Sequence, residues 1–271
     1  MASNLNVDQH ADDAAAVIAA SGAGPVMVFG TSGGAQVGLN LAARHPELVS
    51  TLVAHEPPSM MLMADPSVHL AADKALHDTC LRDGVQAAMA QFMTANGLDA
   101  DAMTMEMSAE DRETFGRMNG NFEYWLAHGL LPLSQYGPDV TALKSGAPKI
   151  IVALGSKSVG QPIHAMGTAL AVALGVQPER FPGDHMRFGM DPAGFAAALG
   201  EVLARKQRRN SCWRWMESCP VVLMATASGS RRPPVTTAPI DQLIGPVTVR
   251  IGAAARAPRI AELAMALRAC P

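Results

Sequence analysis

Gly30-Thr31-Ser32-Gly33-Gly34 stands between an apolar run at 25–29 and a helix-patterned stretch at 35–45. A strand that enters a helix with no loop to spare must turn sharply. A Gly-x-Ser-x-Gly pentapeptide in that setting lifts its serine clear of the backbone. Gly30 and Gly34 flank the turn, where a side chain would collide with the neighbouring chain. Ser32 is the candidate nucleophile. The Gly33 N–H, at the start of the helix, is a candidate donor to an oxyanion. The plainer alternative is a glycine-rich turn whose serine caps the helix.

On the N-terminal side, 7–21 reads as an amphipathic helix with Ala11, Ala14, Ala15, Ile18 and Ala19 on one side, stopped by Gly22 and Gly24. On the C-terminal side the helix of 35–45 ends before Pro46. A second continuous apolar run, 50–54, is closed by His55-Glu56-Pro57-Pro58. Strand, helix and strand of this buried type make a parallel βαβ unit. Residues 59–146 interrupt the rhythm, with helical patterns at 68–82, 85–95, 109–119 and 122–130 and no strand. That is too long for a connection, and a helical cap inserted above the sheet is expected. The alternation then resumes with a strand at 149–155, a helix at 161–175, a short strand at 177–181 and a last helix at 192–204.

Past residue 206 the composition shifts. From 208 to the end there are nine Arg, no Lys and three acidic residues. Runs at 221–224 and 247–251 are strand-like and 260–269 is helical, but no periodicity closes a separate core. The expected division is a core at 1–205 and a loosely structured basic extension at 206–271.

The whole chain has 271 residues, 49% of them hydrophobic, which is ample for a core. A net charge of −3, with no Lys/Arg cluster in the first 200 residues, argues against a nucleic-acid partner. No apolar run is long enough to span a membrane, and the N-terminus lacks a charged-then-apolar signal. Cys80, Cys212, Cys219 and Cys270 fit neither a disulfide framework nor a metal spacing. A reduced, cytoplasmic chain with no membrane partner is expected.

The order of these pieces resembles the α/β-hydrolase superfamily. Val28-Phe29-Gly30-Thr31-Ser32-Gly33-Gly34-Ala35, Leu41-Ala42-Ala43-Arg44-His45-Pro46-Glu47, Leu52-Val53-Ala54-His55-Glu56-Pro57-Pro58 and Phe181-Pro182-Gly183-Asp184-His185 are similar to its small bacterial members. The likeness covers roughly 7–205 and implies a partial α/β-hydrolase fold, a parallel sheet with flanking helices and a helical cap at about 59–146. In the superfamily about four strands and an oxyanion loop of His-Gly type precede the elbow, and here some two dozen residues do. Without such strands, the strand of 25–29 is an unpaired apolar edge, prone to self-association unless another chain or the extension covers it.

The resemblance also implies a catalytic set. The base is a late histidine, here His185. The usual place for the acid, just after the strand of 149–155, holds Ser158, which carries no negative charge. Some members place the acid after the strand that follows the elbow helix, here Glu56. Read from the residues, Glu56 is either that acid or the cap of a turn before Pro57-Pro58, and Asp184 lies too close to His185 in sequence to face it. Gly33 gives one oxyanion donor, and the second belongs to the loop not found, whose loss costs about 10²–10³ in rate. The resemblance thus implies a serine hydrolase of a small carboxylic ester or related acyl compound, with no cofactor and no metal, and weak or inactive if truncated. Cofactor-free haloperoxidases and perhydrolases use the same triad. A reading from another class is a non-catalytic remnant, or a subunit completed by a partner chain. The methionines at 60, 61, 63, 89, 93, 103, 105 and 107 would line an acyl pocket or, for most of them, simply pack the cap.

Overall fold

The computed structural model describes residues 4–22, 24–95, 121–185, 187, 191–207, 221–225 and 247–250. Helix α1 (Val7–Ala20) leads into strand β1 (Val26–Thr31), helix α2 (Gly33–Arg44) and strand β2 (Val49–His55). Helices α3 (Ser67–Asp83), α4 (Val85–Ala95), α5 (Leu130–Ser134) and α6 (Val140–Ser145) separate β2 from β3 (Lys149–Gly155). Helix α7 (Pro162–Leu174), strand β4 (Glu179–Phe181) and helix α8 (Pro192–Gln207) come next, then strands β5 (Val221–Ala225) and β6 (Val247–Arg250). The candidate helices at 109–119 and 260–269 lie outside the described residues.

All six strands join one sheet in the order β4-β3-β2-β1-β5-β6, with every pairing parallel. Strands that are buried on both faces need apolar side chains at successive positions, and β1 to β3 meet that need. Val28, Leu52, Ala54, Val152 and Leu154 turn to one face, against Ala14 and Ile18 of α1, Leu39 of α2 and Leu170 of α7. Their neighbours Phe29, Val53, Ile151 and Ala153 turn to the other, against Phe195, Leu199 and Val202 of α8.

Of the ways to cover the border of β1, the structure has the one in which the C-terminal extension does so: β5 pairs with it from Met27↔Val221 to Thr31↔Ala225. The run 221–225 is apolar and rich in β-branched residues, the composition a strand in a parallel sheet requires. The described stretches of the extension past Gln207, Val221–Ala225 and Val247–Arg250, are strands of this sheet. The inserted helices pack in two places. Leu143 of α6 packs in the main core with α2 and α7. Leu76, Cys80, Ala88, Leu126 and Leu130 form a separate cluster from α3, α4 and the segment leading to α5. Gln36 of α2 joins the two bodies, donating Nε2–H to the carbonyls of Pro58 at 3.1 Å and Leu133 at 2.9 Å.

Candidate active site

Strand β1 ends at Thr31 and α2 begins at Gly33, so Ser32 alone makes the turn, at φ 55° and ψ −129°. A non-glycine residue in that region carries a steric cost of order 1–3 kcal/mol, and such residues persist where the surroundings hold them. Ser32 N–H donates to the His55 carbonyl at 3.0 Å, and the Ser32 carbonyl accepts from Ala35 at 2.9 Å. A Cβ on Gly30 would fall 2.5 Å from the Gly34 carbonyl oxygen and 2.8 Å from Ala35 Cα, so glycine is obligatory there. Gly33 opens α2 with no side-chain cap, and a first-turn N–H has no intrahelical acceptor.

The ends of β2 and β3 build the acid. Glu56 comes directly after β2 at φ 43°, the other non-glycine residue with positive φ among those described. Its side chain is wholly buried. One oxygen, Oε1, accepts the Gly155 N–H at 2.9 Å, and the other, Oε2, lies 2.9 Å from His185 Nδ1. A side chain on Gly155 would come within 2.9 Å of Glu56 Oε1 and 2.7 Å of the Gly183 carbonyl oxygen. The loop that carries His185 leaves β4 and is tied to the loop after β3 by Ser156 N–H to the Phe181 carbonyl and Lys157 N–H to the Gly183 carbonyl, both 2.8 Å.

Burial would raise the Glu56 carboxyl. The His185 hydrogen bond, the nearby Ser158 hydroxyl and the charges of His55 and His185 outweigh it and hold the group at about 2. Ser158 itself is fully buried, and its Oγ meets no partner at hydrogen-bond geometry. It stands beside the acid rather than in its place. Of the expected set, Glu56 and His185 are brought together. Ser32 is joined to them through the His55 carbonyl, and no hydrogen bond links its Oγ to His185 among the described residues. Such bonds are often long in an unliganded site.

One residue of this neighbourhood is not among the sequence candidates. His55 is the last residue of β2 and fully buried, with Thr31 Oγ1 2.9 Å from Nδ1 and Nε2 without a partner. Burial pushes its pKa down to about 4, so it is neutral at pH 7. The available signal is a titratable residue ending an apolar strand next to a carboxylate. His55, Glu56 and His185 each present a potential ligand atom within 4.8 Å of the others, the one such trio among the described residues. The carboxylate of that trio is already engaged through both oxygens. A groove of about 510 Å³ between α7 and β4 is lined by Leu154, His164, Val172 and Arg180, and by none of Ser32, Glu56 and His185.

The sequence profile of the family described as alpha/beta hydrolase fold matches residues 1–95. An uncharacterized hydrolase, YraK of Bacillus subtilis (strain 168), is 29% identical over 210 residues, which cover 76% of this chain and 73% of that protein. The chain is similar to α/β-hydrolases over its first 95 residues and has their fold. Among solved structures of similar fold, MenH from S. aureus superposes with a TM-score of 0.57 at 13% identity, over 76% of this chain and 78% of that one. The proline iminopeptidase of Mycobacterium smegmatis superposes at 0.51 and 19%, over 76% of each chain. No helix among the described residues is long and apolar enough to cross a membrane.

Proposed function

We propose that this chain of α/β-hydrolase fold is a serine hydrolase that cleaves a small carboxylic ester or a related acyl compound. The observation that carries this reading is the 2.9 Å contact between His185 Nδ1 and the buried Glu56 carboxylate, on the strand end next to the elbow of Ser32. In the reaction, Ser32 Oγ attacks the acyl carbon while its proton passes to His185 Nε2. The Gly33 N–H donates to the oxyanion that forms. Collapse of the intermediate breaks the bond to the leaving alcohol, which takes the proton from His185. Water then attacks the acyl-serine by the same route and frees the acid and Ser32. Glu56 stays ionised throughout, fixes the proton on Nδ1 and stabilises the imidazolium.

A non-catalytic chain is the second reading, favoured by the lack of a hydrogen bond between Ser32 Oγ and His185. Labelling with a fluorophosphonate separates the two, because only an activated serine reacts. The unaltered chain is expected to label and to cleave a p-nitrophenyl ester. Ser32→Ala should do neither, and Glu56→Gln should turn over about 10²–10⁴ times more slowly. Ser158→Ala should leave the rate within about twofold, since its hydroxyl neither accepts the proton nor orients the base. Undiminished ester cleavage by Ser32→Ala would overturn the proposal.

A further inference from the structure

The geometry points to His55 as a positioning residue for the His185 base, an inference that rests on the serine-hydrolase reading. His55 neither attacks the acyl carbon nor carries a proton in that reaction, yet it adjoins every component of the site. Its carbonyl holds the Ser32 N–H at 3.0 Å. Its ring lies 12° from parallel with the His185 ring, centroids 6.1 Å apart. Glu56 is its neighbour in the chain.

The His55 ring is itself fixed from several sides. Thr31 Oγ1 stands 2.9 Å from Nδ1. Phe195 of α8 meets the ring edge to face, with centroids 5.1 Å apart and planes at 87°. Phe181 of β4 lies at 5.8 Å and Phe29 of β1 at 6.2 Å. Interiors packed at crystal-like density leave such a ring no free rotation. The orientation that Thr31 sets is therefore passed to the plane of His185. Thr31 is the residue immediately before the nucleophile, so one hydrogen bond couples the elbow to the base.

The charge state serves the same end. Glu56 and His185 are the titratable groups facing His55, and a cationic His55 would draw on the Glu56 carboxylate and oppose the imidazolium formed on His185. Burial among three phenyl rings keeps the imidazole neutral while it remains able to bond Thr31. A phenylalanine would fill the space and give up that bond.

The test uses the hydroxyl of Thr31, which is 6% exposed. Thr31→Val keeps the volume and removes the bond to His55, whereas Thr31→Ser keeps the bond. Two readouts are taken: the rate of Ser32 labelling by a fluorophosphonate, and the far-downfield proton resonance of the His185 Nδ1–H bond to Glu56. The Val variant is expected to label ten- to a hundredfold more slowly, on the order of the cost of a misplaced group, with the Ser variant within about twofold of the unaltered chain. The resonance should shift or vanish in the Val variant and persist in the Ser variant. Equal labelling rates in all three chains, or a Ser variant as slow as the Val one, would overturn the positioning role. If the unaltered chain never labels, the hydrolase reading fails and the resonance alone judges His55: unchanged in Thr31→Val, it overturns the inference, and shifted, it upholds it. Should Thr31→Val not fold, His55→Phe is read by the same two measurements.

Discussion

Ser32 and Glu56 are the two non-glycine residues with positive φ among those described, and they are the proposed nucleophile and acid. Strain of this kind collects where a side chain must be aimed, and here each residue directly follows a parallel strand, at the C-terminal ends of two neighbours in the sheet. Ser32 is marked in the sequence by a five-residue motif, whereas His185 is picked out by the order of elements in the superfamily the chain resembles. Glu56 is legible only as one of two alternatives. What distinguishes an acid from a turn cap is its contact with His185, 129 residues away, and no local pattern reports that. His55 escapes a sequence reading for the same reason, since the rings around it come from β1, β4 and α8. Its burial carries a pH signature. The unfolded chain protonates His55 near 6.5 and the folded chain near 4, so between those values the unfolded state binds more protons. Stability from this group is therefore complete above 6.5 and is lost as pH falls through 4, by about 3 kcal/mol in all. The Glu56 contribution fades lower, between 4.5 and about 2. Thermal melts across the upper window should show a steep decline for the unaltered chain and a shallower one for His55→Phe. Parallel declines would assign the pH dependence to other groups.

At the scale of elements, the apolar runs mark their strands closely: β3 spans the expected 149–155, while β4 is confined to Glu179–Phe181. The departures lie where backbone geometry is set by neighbours, as in the π turn Trp125–Gly129 that precedes α5. The end of β3 shows how an element carries chemistry without contributing a side chain. Gly155 gives its N–H to Glu56 and leaves room for that carboxylate, so Gly155→Ala would push a methyl group against Glu56 Oε1, Ser158 Oγ and the Gly183 carbonyl at once. The expected result is a loss of ester turnover of about 10²-fold, the order reached when a reacting group is displaced by about an ångström. Gly175, at φ 72° after α7, has nothing within 4 Å of an added Cβ, so Gly175→Ala should cost about 1 kcal/mol of stability and leave turnover unchanged. Denaturant titration and steady-state kinetics on both variants separate the two effects. Full activity in Gly155→Ala would show that Glu56 needs no such cradle.

At the scale of the molecule, the sequence leaves the extension as one of two candidates, beside another chain, to cover β1, and does not choose between them. Its strand-like runs, 221–224 and 247–251, are short, and which edge a strand joins depends on the vacancy it meets. That vacancy is the far side of β1, the strand that ends at the nucleophile. Parallel strands in the interior bond on both sides, and an apolar strand stripped of one partner exposes unpaired N–H and C=O groups to any chain that can pair with them. Removing everything after Gln207 deletes β5 and β6 and leaves Met27–Thr31 with β2 as its remaining ladder partner. The shortened chain is expected to self-associate through that edge, to melt at lower temperature than the full chain, and to label more slowly at Ser32 because β1 sets the elbow. Light scattering reads the first, calorimetry the second and a fluorophosphonate the third. A shortened chain that stays monomeric, unfolds cooperatively at the same temperature and labels at the same rate would mean that β1 to β4 form a self-sufficient sheet and that β5 contributes nothing to the site.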